Sequence, residues 1–296
     1  MTVKTSTAAE LTQEQVVRVL TKPLEEASKF LASGPRIFDT SGPLRVPSLG
    51  GMVDSEGDPD SPDWIGESEQ ITTKDVDFGE VSLLPSTMKS VKVITRYSNE
   101  MARQSVVALD ATLQQRLVTD VAAKLDDQFW SAGGDGVTTP TGILAYEGVQ
   151  EADLSGAAVT LDDLTDAWGM CLSADVNMSG LKWVMRPETF IALRKVKEAS
   201  GSQRPVLQPD VTQDSVFRLF GSPVTVTKRL PLDGASQKSI VLADFSQIAV
   251  ARDLAPSVKV LTERYADYDE QAIRVVARYD AKPLNPEAVV VMRNVA

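Results

Sequence analysis

From Ser98 to Trp130 the chain runs thirty-three residues without a glycine or a proline. Met101, Leu109, Leu113, Leu117, Val121, Leu125 and Phe129 recur at multiples of four, with Ala102, Val106, Val118 and Ala122 beside them. That spacing lays one apolar stripe along a helix. Ser98 is a good N-cap, and Glu100 sits in the first turn, where the helix dipole favours an acid. Gly133-Gly134-Asp135-Gly136 supplies the stop. A helix of this length spans about 50 Å at 1.5 Å per residue, where a compact domain uses roughly 8–20 residues. The pattern predicts an elongated subunit built on a long rod.

The segments on either side differ in kind. Residues 1–50 read as an arm and not as a packed domain: a helical patch is interrupted by Pro23, and Pro35, Pro43 and Pro47 then mark an extended run. Residues 51–69 are a turn-rich acidic loop. Two strands are expected next, at about 75–84 and 87–96, broken at Pro85-Ser86; together they make a two-stranded projection that is marginal alone and needs a neighbour to lie on. From Thr160 helices and strands alternate. Thr160 caps a helix to about Asp175, Leu181–Met185 is a strand, and Pro187 opens a helix to about Glu198. Short strands are expected near 224–227, 239–242, 247–252 and 258–264. The chain closes with a hairpin, Ile273–Tyr279 returning through Pro283 and Pro286 to Glu287–Met292. The predicted division is an arm over 1–50, an extended hairpin loop over 51–96, the long helix with a peripheral domain over 97–154, an α/β domain over 155–265, and a return to the peripheral domain over 266–296.

Composition removes most chemistry. There is no histidine, which takes away the commonest general base, the commonest metal ligand and every Ser-His-Asp or Cys-His arrangement. The lone Cys171 permits no intrachain disulfide and reads as a small buried hydrophobe. No run approaches the ~20 apolar residues that span a bilayer, and the first residues lack the apolar core of a signal peptide. The net charge of −11 is uneven: residues 54–80 hold ten acids and one base, Lys74. Nucleic-acid binding by bulk charge is not expected of such a chain. The acidic loop fails the calcium-loop pattern, with Pro59 and Ile65 where glycine and glutamate belong. The glycine cluster after the long helix lacks the strand, lysine and helix of a phosphate loop. Asp126-Asp127 and Asp162-Asp163 read as solvated helix faces, and Trp168 and Trp183 as core. No catalytic, cofactor or metal site is expected.

Several local patterns occur together in one order. Trp64-Ile65-Gly66-Glu67 resembles a Trp-x-x-Glu loop motif. Phe78 to Pro85 followed by Ser98-Asn99-Glu100 resembles a strand leading into a spine helix. Leu125-Asp126-Asp127-Gln128-Phe129-Trp130, the glycine cluster and Pro140-Thr141-Gly142-Ile143-Leu144 resemble the exit from that helix. Leu219 to Val224, Ala243-Asp244-Phe245, and Arg274 through Arg278-Tyr279-Asp280 to Pro286 match the later pattern. Over about residues 35–296 the order resembles the tailed-bacteriophage major capsid proteins of the Hong Kong 97 type.

The resemblance implies an α+β capsid fold with an N-terminal arm, an extended β-hairpin loop, a long spine helix, a peripheral domain and an axial α/β domain. It implies hexamers and pentamers closing an icosahedral shell around double-stranded DNA, held without sequence-specific binding. The implied partners are many copies of the chain itself, a portal protein, a separate scaffolding protein and a decoration protein, with no membrane. The implied setting is the virion, assembled in a host bacterial cytoplasm. The extended loop would reach across a neighbouring subunit, with Asp58, Asp60, Trp64, Glu67, Lys74 and Phe78 as candidate inter-subunit contacts. The acids of 54–80 are expected to meet a basic patch on that neighbour, with Arg186, Arg194, Lys195 and Lys197 as candidates. Lys74, Lys89 and Asn285 match no cross-linking motif. An encapsulin-like compartment shell, which shares the fold, is the alternative; a carboxylate enzyme is the third reading.

Overall fold

The computed structural model describes residues 28–53, 64–71, 73–104, 109–196, 217–232, 236–253, 257–261 and 263–296. In chain order they form α1 (Lys29–Ala32), β1 (Arg36–Thr40), β2 (Leu44–Val53), β3 (Asp75–Leu83), β4 (Val91–Ser98), α2 (Asn99–Gln104) and α3 (Leu109–Phe129). Then come β5 (Gln150–Asp153), α4 (Leu161–Ser173), β6 (Leu181–Met185), α5 (Pro187–Arg194), β7 (Arg218–Leu219), β8 (Ser222–Val226), β9 (Lys238–Asp244) and β10 (Ile248–Asp253). The last four strands are β11 (Ser257–Leu261), β12 (Glu270–Ala277), β13 (Tyr279–Pro283) and β14 (Val289–Val295). Among the described residues no helix is long and apolar enough to cross a membrane.

Both ends of the long helical pattern are helical, as α2 and α3; residues 105–108 between them lie outside the described residues. The predicted stripe is the packed side of α3: Leu117, Val121, Leu125 and Phe129 are buried, with Val118 and Ala122 beside them. Fully burying such side chains stabilises by about 1.5–3 kcal/mol each.

A six-stranded sheet, in the order β5-β14-β9-β6-β8-β7, divides the molecule. Alternation along its strands feeds two cores. Val241, Ala243, Val289 and Val291 face the core built on α3. Ile240, Leu242, Val290 and Met292 face the core under α4 and α5, which also holds Trp183 and Cys171. Helix α4 starts at the expected place because Thr160 and Asp163 form a capping box, each side chain serving the other's backbone N–H. Helix α5 ends at Arg194, short of the expected 198.

Three expectations are corrected. First, β3 does not pair with the strand that follows it. It pairs antiparallel with β2, Leu44 opposite Leu83 and Val53 opposite Asp75, and the two form a sheet of their own. The limb therefore begins at Leu44, inside the stretch assigned to the arm. The reason is the anchorage at its root. Leu83, Leu84 and Met88 are buried with Ala249 and Ala251 of β10, and Leu84 N–H donates to Asp280 at 2.8 Å. The chain is thus carried past β3 to β4, which pairs with β12.

Second, the terminal hairpin does not form. β12 lies with β4 and β11, β13 with β10, and β14 in the six-stranded sheet. Arg278, between β12 and β13, donates to Pro85 O at 2.6 Å and pairs with Asp253 at 3.5 Å, holding the two strands in different sheets. Third, the part of the arm that is described is packed. Phe30 and Leu31 are buried, and β1 pairs parallel with β10, Arg36 opposite Ala249.

Candidate inter-subunit surfaces

The limb made by β2 and β3 has side chains in water at its far end. Trp64 is fully exposed and Ile71 is 76% exposed. A short turn holds the segment after Trp64: Glu69 N–H donates to Gly66 O at 3.3 Å, and Gly66 N–H donates to a Glu69 carboxylate oxygen at 3.2 Å. Glu67 is exposed and Lys74 half-exposed. Phe78 takes a place in β3 opposite Leu49. Asp58 and Asp60 lie outside the described residues. Trp64, Glu67 and Lys74 all lie in the segment that joins β2 to β3. A two-stranded ribbon is marginal in water, and large apolar side chains held out on it mark an association surface.

The root of the limb is rigid by contrast. Asp280 is buried and accepts from Leu84 N–H and, at 2.9 Å, from Ala281 N–H. Burial pushes its carboxyl above the ordinary value, and those two N–H groups partly offset the rise. A groove of about 610 Å³ runs along the root, lined by Glu80, Asp135, Tyr146, Glu147 and Lys282 among others. Its carboxylate Asp135 is committed to its own loop, accepting from the N–H groups of Val137, Thr138 and Thr139 at 3.1, 2.8 and 2.9 Å.

Asp126 departs from the sequence expectation of a solvated acid. It is buried and receives the arm: Ser28 Oγ donates at 2.5 Å, Lys29 N–H at 2.9 Å and Phe30 N–H at 3.2 Å. Desolvation raises its carboxyl above the ordinary value, against the pull of these donors. Beside it, Phe30 meets the rings of Phe129, Trp130 and Phe245 at 4.8, 5.0 and 5.8 Å. Asp127 behaves as expected of an exposed acid and pairs with Arg229 at 2.8 Å. Sequence reasoning missed this latch. Ser28 is a legible N-cap for α1, but its carboxylate partner lies 98 positions away.

The basic patch proposed from sequence is also corrected at its centre. Arg186 is spent inside the subunit, donating to Lys228 O at 2.9 Å and Leu230 O at 2.5 Å and pairing with Glu188 at 3.3 Å. Arg194 lies 5.9 Å from the Phe190 ring, Lys195 caps α5, and residue 197 lies outside the described residues. Cys171 is buried as expected, and burial pushes its thiol up to about 11.

The comparisons follow the same outline. The model of the phage capsid family matches residues 10–294. Among solved structures, the capsid of a native GTA particle matches at 19% identity and a TM-score of 0.72, covering 91% of this chain and 90% of that one. The capsid of an empty GTA particle matches at 19% identity and 0.69, covering 90% of both chains. A chain from Mycobacterium phage Bobi matches at 14% identity and 0.68, again over 90% of both. No curated protein matches. The match covers arm, limb, spine helix and both cores together, so the chain belongs to the phage capsid family and is a structural protein with the Hong Kong 97-type capsid fold.

Proposed function

We propose that this chain is the major head subunit of a tailed bacteriophage. It assembles in the host bacterial cytoplasm as hexamers and pentamers that close an icosahedral shell around double-stranded DNA. Its partners are a portal, a separate scaffolding protein and a decoration protein, and it performs no catalysis. The observation that carries the reading is the limb: the segment that joins β2 to β3 holds a fully exposed Trp64 and a largely exposed Ile71, apolar surface left uncovered among the described residues. Closed shells need heterologous contacts whose rotations close, and a limb on one side with a receiving surface elsewhere supplies that asymmetry.

In this assignment residues 155–265 meet their copies around the hexamer and pentamer axes. The spine helix and the strands packed on it form the peripheral part. Asp58, Asp60, Trp64, Glu67, Lys74 and Phe78 contact the next subunit. Electron microscopy and sedimentation of the purified full chain test the proposal. Closed particles are expected, and Trp64→Ala should lower their yield while leaving the subunit folded. Particles isolated from infected cells should hold genomic DNA; a monomer that stays solitary at high concentration refutes the proposal.

A further inference from the structure

The sheet of β11, β12 and β4 turns one face to the main core through Val258, Ile273, Val275, Val93 and Tyr97. Cross-strand register sets the other face. Arg274 of β12 lies opposite Lys259 on one side and Ile94 on the other. Lys92 and Arg96 of β4 stand two positions either side of Ile94 and return to the same face. Beside them on this face lie Leu261, Ala272 and Val276. Lys92, Arg96, Lys259 and Arg274 thus share a patch that holds no acid between 92 and 96, 257 and 261, or 272 and 276. At about 3.3 Å per residue and about 4.8 Å between strands, the patch is about 13 Å long and about 10 Å wide.

Only the rim of this patch has a counter-charge. Arg96 has Glu270 at 3.6 Å and the Tyr265 ring at 5.2 Å. Lys92 and Lys259 are exposed and Arg274 half-buried. Among the described residues none of these three has an ion pair or hydrogen bond, and Arg274 Nε is buried without an acceptor. Like charges side by side on a sheet destabilise it, and a buried guanidinium nitrogen without an acceptor adds to the cost. The face is short of an anion.

The net charge of the chain does not keep a polyanion away from it. Of the −11, residues 54–80 carry ten acids against one base, a net of −9, which leaves −2 for everything else. The part of the chain that carries the sheet is therefore close to neutral, and the patch is its local excess of positive charge. A DNA duplex presents one phosphate charge per about 1.7 Å of axis, so 13 Å of it carries about eight, roughly half of them turned toward a flat surface. Four cations on a flat sheet match that density. Lysine and arginine both hold phosphate, and contacts to phosphate alone read no sequence. We propose that this face holds the phosphate backbone of duplex DNA without sequence preference, an inference that rests on the shell assignment above and makes the face a lumenal one.

Binding of the unassembled full chain to a mixed-sequence DNA duplex, followed by fluorescence anisotropy across a salt series, tests the proposal. Wild type should bind at low salt with a log–log salt slope of about −3 to −4. Lys92→Gln with Lys259→Gln should weaken low-salt binding about tenfold or more and take about two from the size of that slope. Lys124→Gln with Lys228→Gln makes the same change of net charge at exposed sites on α3 and after β8, and should leave both readings as in wild type. An equal loss in that control means bulk charge, and the proposal falls. No binding by wild type at low salt, or an unchanged slope in the face variant, overturns it too. Unchanged melting of the monomer checks that each variant is folded. Particle yield is the second reading. The face variant should close as many particles as wild type; a fall in yield with normal melting assigns the face to a protein contact and refutes the proposal. Wild-type chains that never assemble sink the shell assignment, while the duplex titration still decides the face.

Discussion

Phe30→Ala tests whether the arm is an integral part of the subunit core. The Phe30 side chain is completely buried, with three aromatic rings within 5.8 Å between centroids. Truncating a buried phenylalanine costs about 3–5 kcal/mol in lost transfer energy and residual cavity. Aromatic pairs add roughly 0.5–1.5 kcal/mol beyond area, which places this site toward the upper end. Total stability of a folded protein is about 5–15 kcal/mol, so the loss is a large fraction of it. At about 2–4 °C per kcal/mol for a chain of this class, the unassembled subunit should melt roughly 10 °C lower. Urea denaturation and calorimetry on the monomer read the change, with Leu172→Ala, at a 46% exposed site, as a control expected within about 0.5 kcal/mol of wild type. Proteolysis close to Ser28 should accelerate in the same variant. A melting point within about 2 °C of wild type would mean that the arm merely rests on the core, and the latch through Ser28, Asp126 and Phe30 would lose its structural meaning.

Three further outcomes are expected. Asp126 and Asp280 have folded-state values raised above 3.8, burial being the largest cause. Between 3.8 and the raised value the native chain binds more protons than the unfolded one, so stability falls as pH rises through that window and is level above it. Asp126→Asn should flatten that slope in urea midpoints taken from about pH 4 to 7; an unaltered slope counts against burial as the cause. Asp39, held below its ordinary value first by its hydrogen bond from Arg252, acts in the opposite sense, contributing stability above 3.8 that is lost at lower pH. Cys171 should resist thiol reagents in the native monomer at neutral pH and react at once in denaturant, since it is buried with its thiol near 11; rapid native labelling would contradict the packing of α4. Gly134 has φ +112 and leaves only 2.1 Å between a built Cβ and Pro140 O, so Gly134→Ala should destabilise by about 1–3 kcal/mol or more, read as a lower urea midpoint, and a neutral result would show that this loop relaxes freely.

Much of the fold is legible locally. The apolar stripe from Leu113 to Phe129, the capping box of Thr160 and Asp163, and Pro187 at the start of α5 each lie within a few residues of the structure they direct, as do the alternating strands. Their signals are short-range: side-chain period, capping groups and fixed φ act on the nearest turn. The candidate site was legible in outline, because prolines, turn residues and acids mark a projecting loop, and its resemblance to a known family placed Trp64 and Glu67 in it. Which strands pair was not legible. β3 has suitable patterning for either neighbour, and the choice of β2 follows from Leu83, Leu84 and Met88 being buried on β10.

Sequence alone determined the apolar stripe of α3, the capped starts of α4 and α5, and the alternation of most strands. Tertiary structure decided that Asp126 is buried under the arm instead of solvated, that Arg186 is spent within the subunit, and that β12, β13 and β14 part into three sheets. It also decided that Lys92, Lys259 and Arg274, on three separate strands, stand on one face. The physical reason is that burial and cross-strand register depend on what a distant segment brings alongside, and a one-residue slip would have turned every one of those cations to the other side.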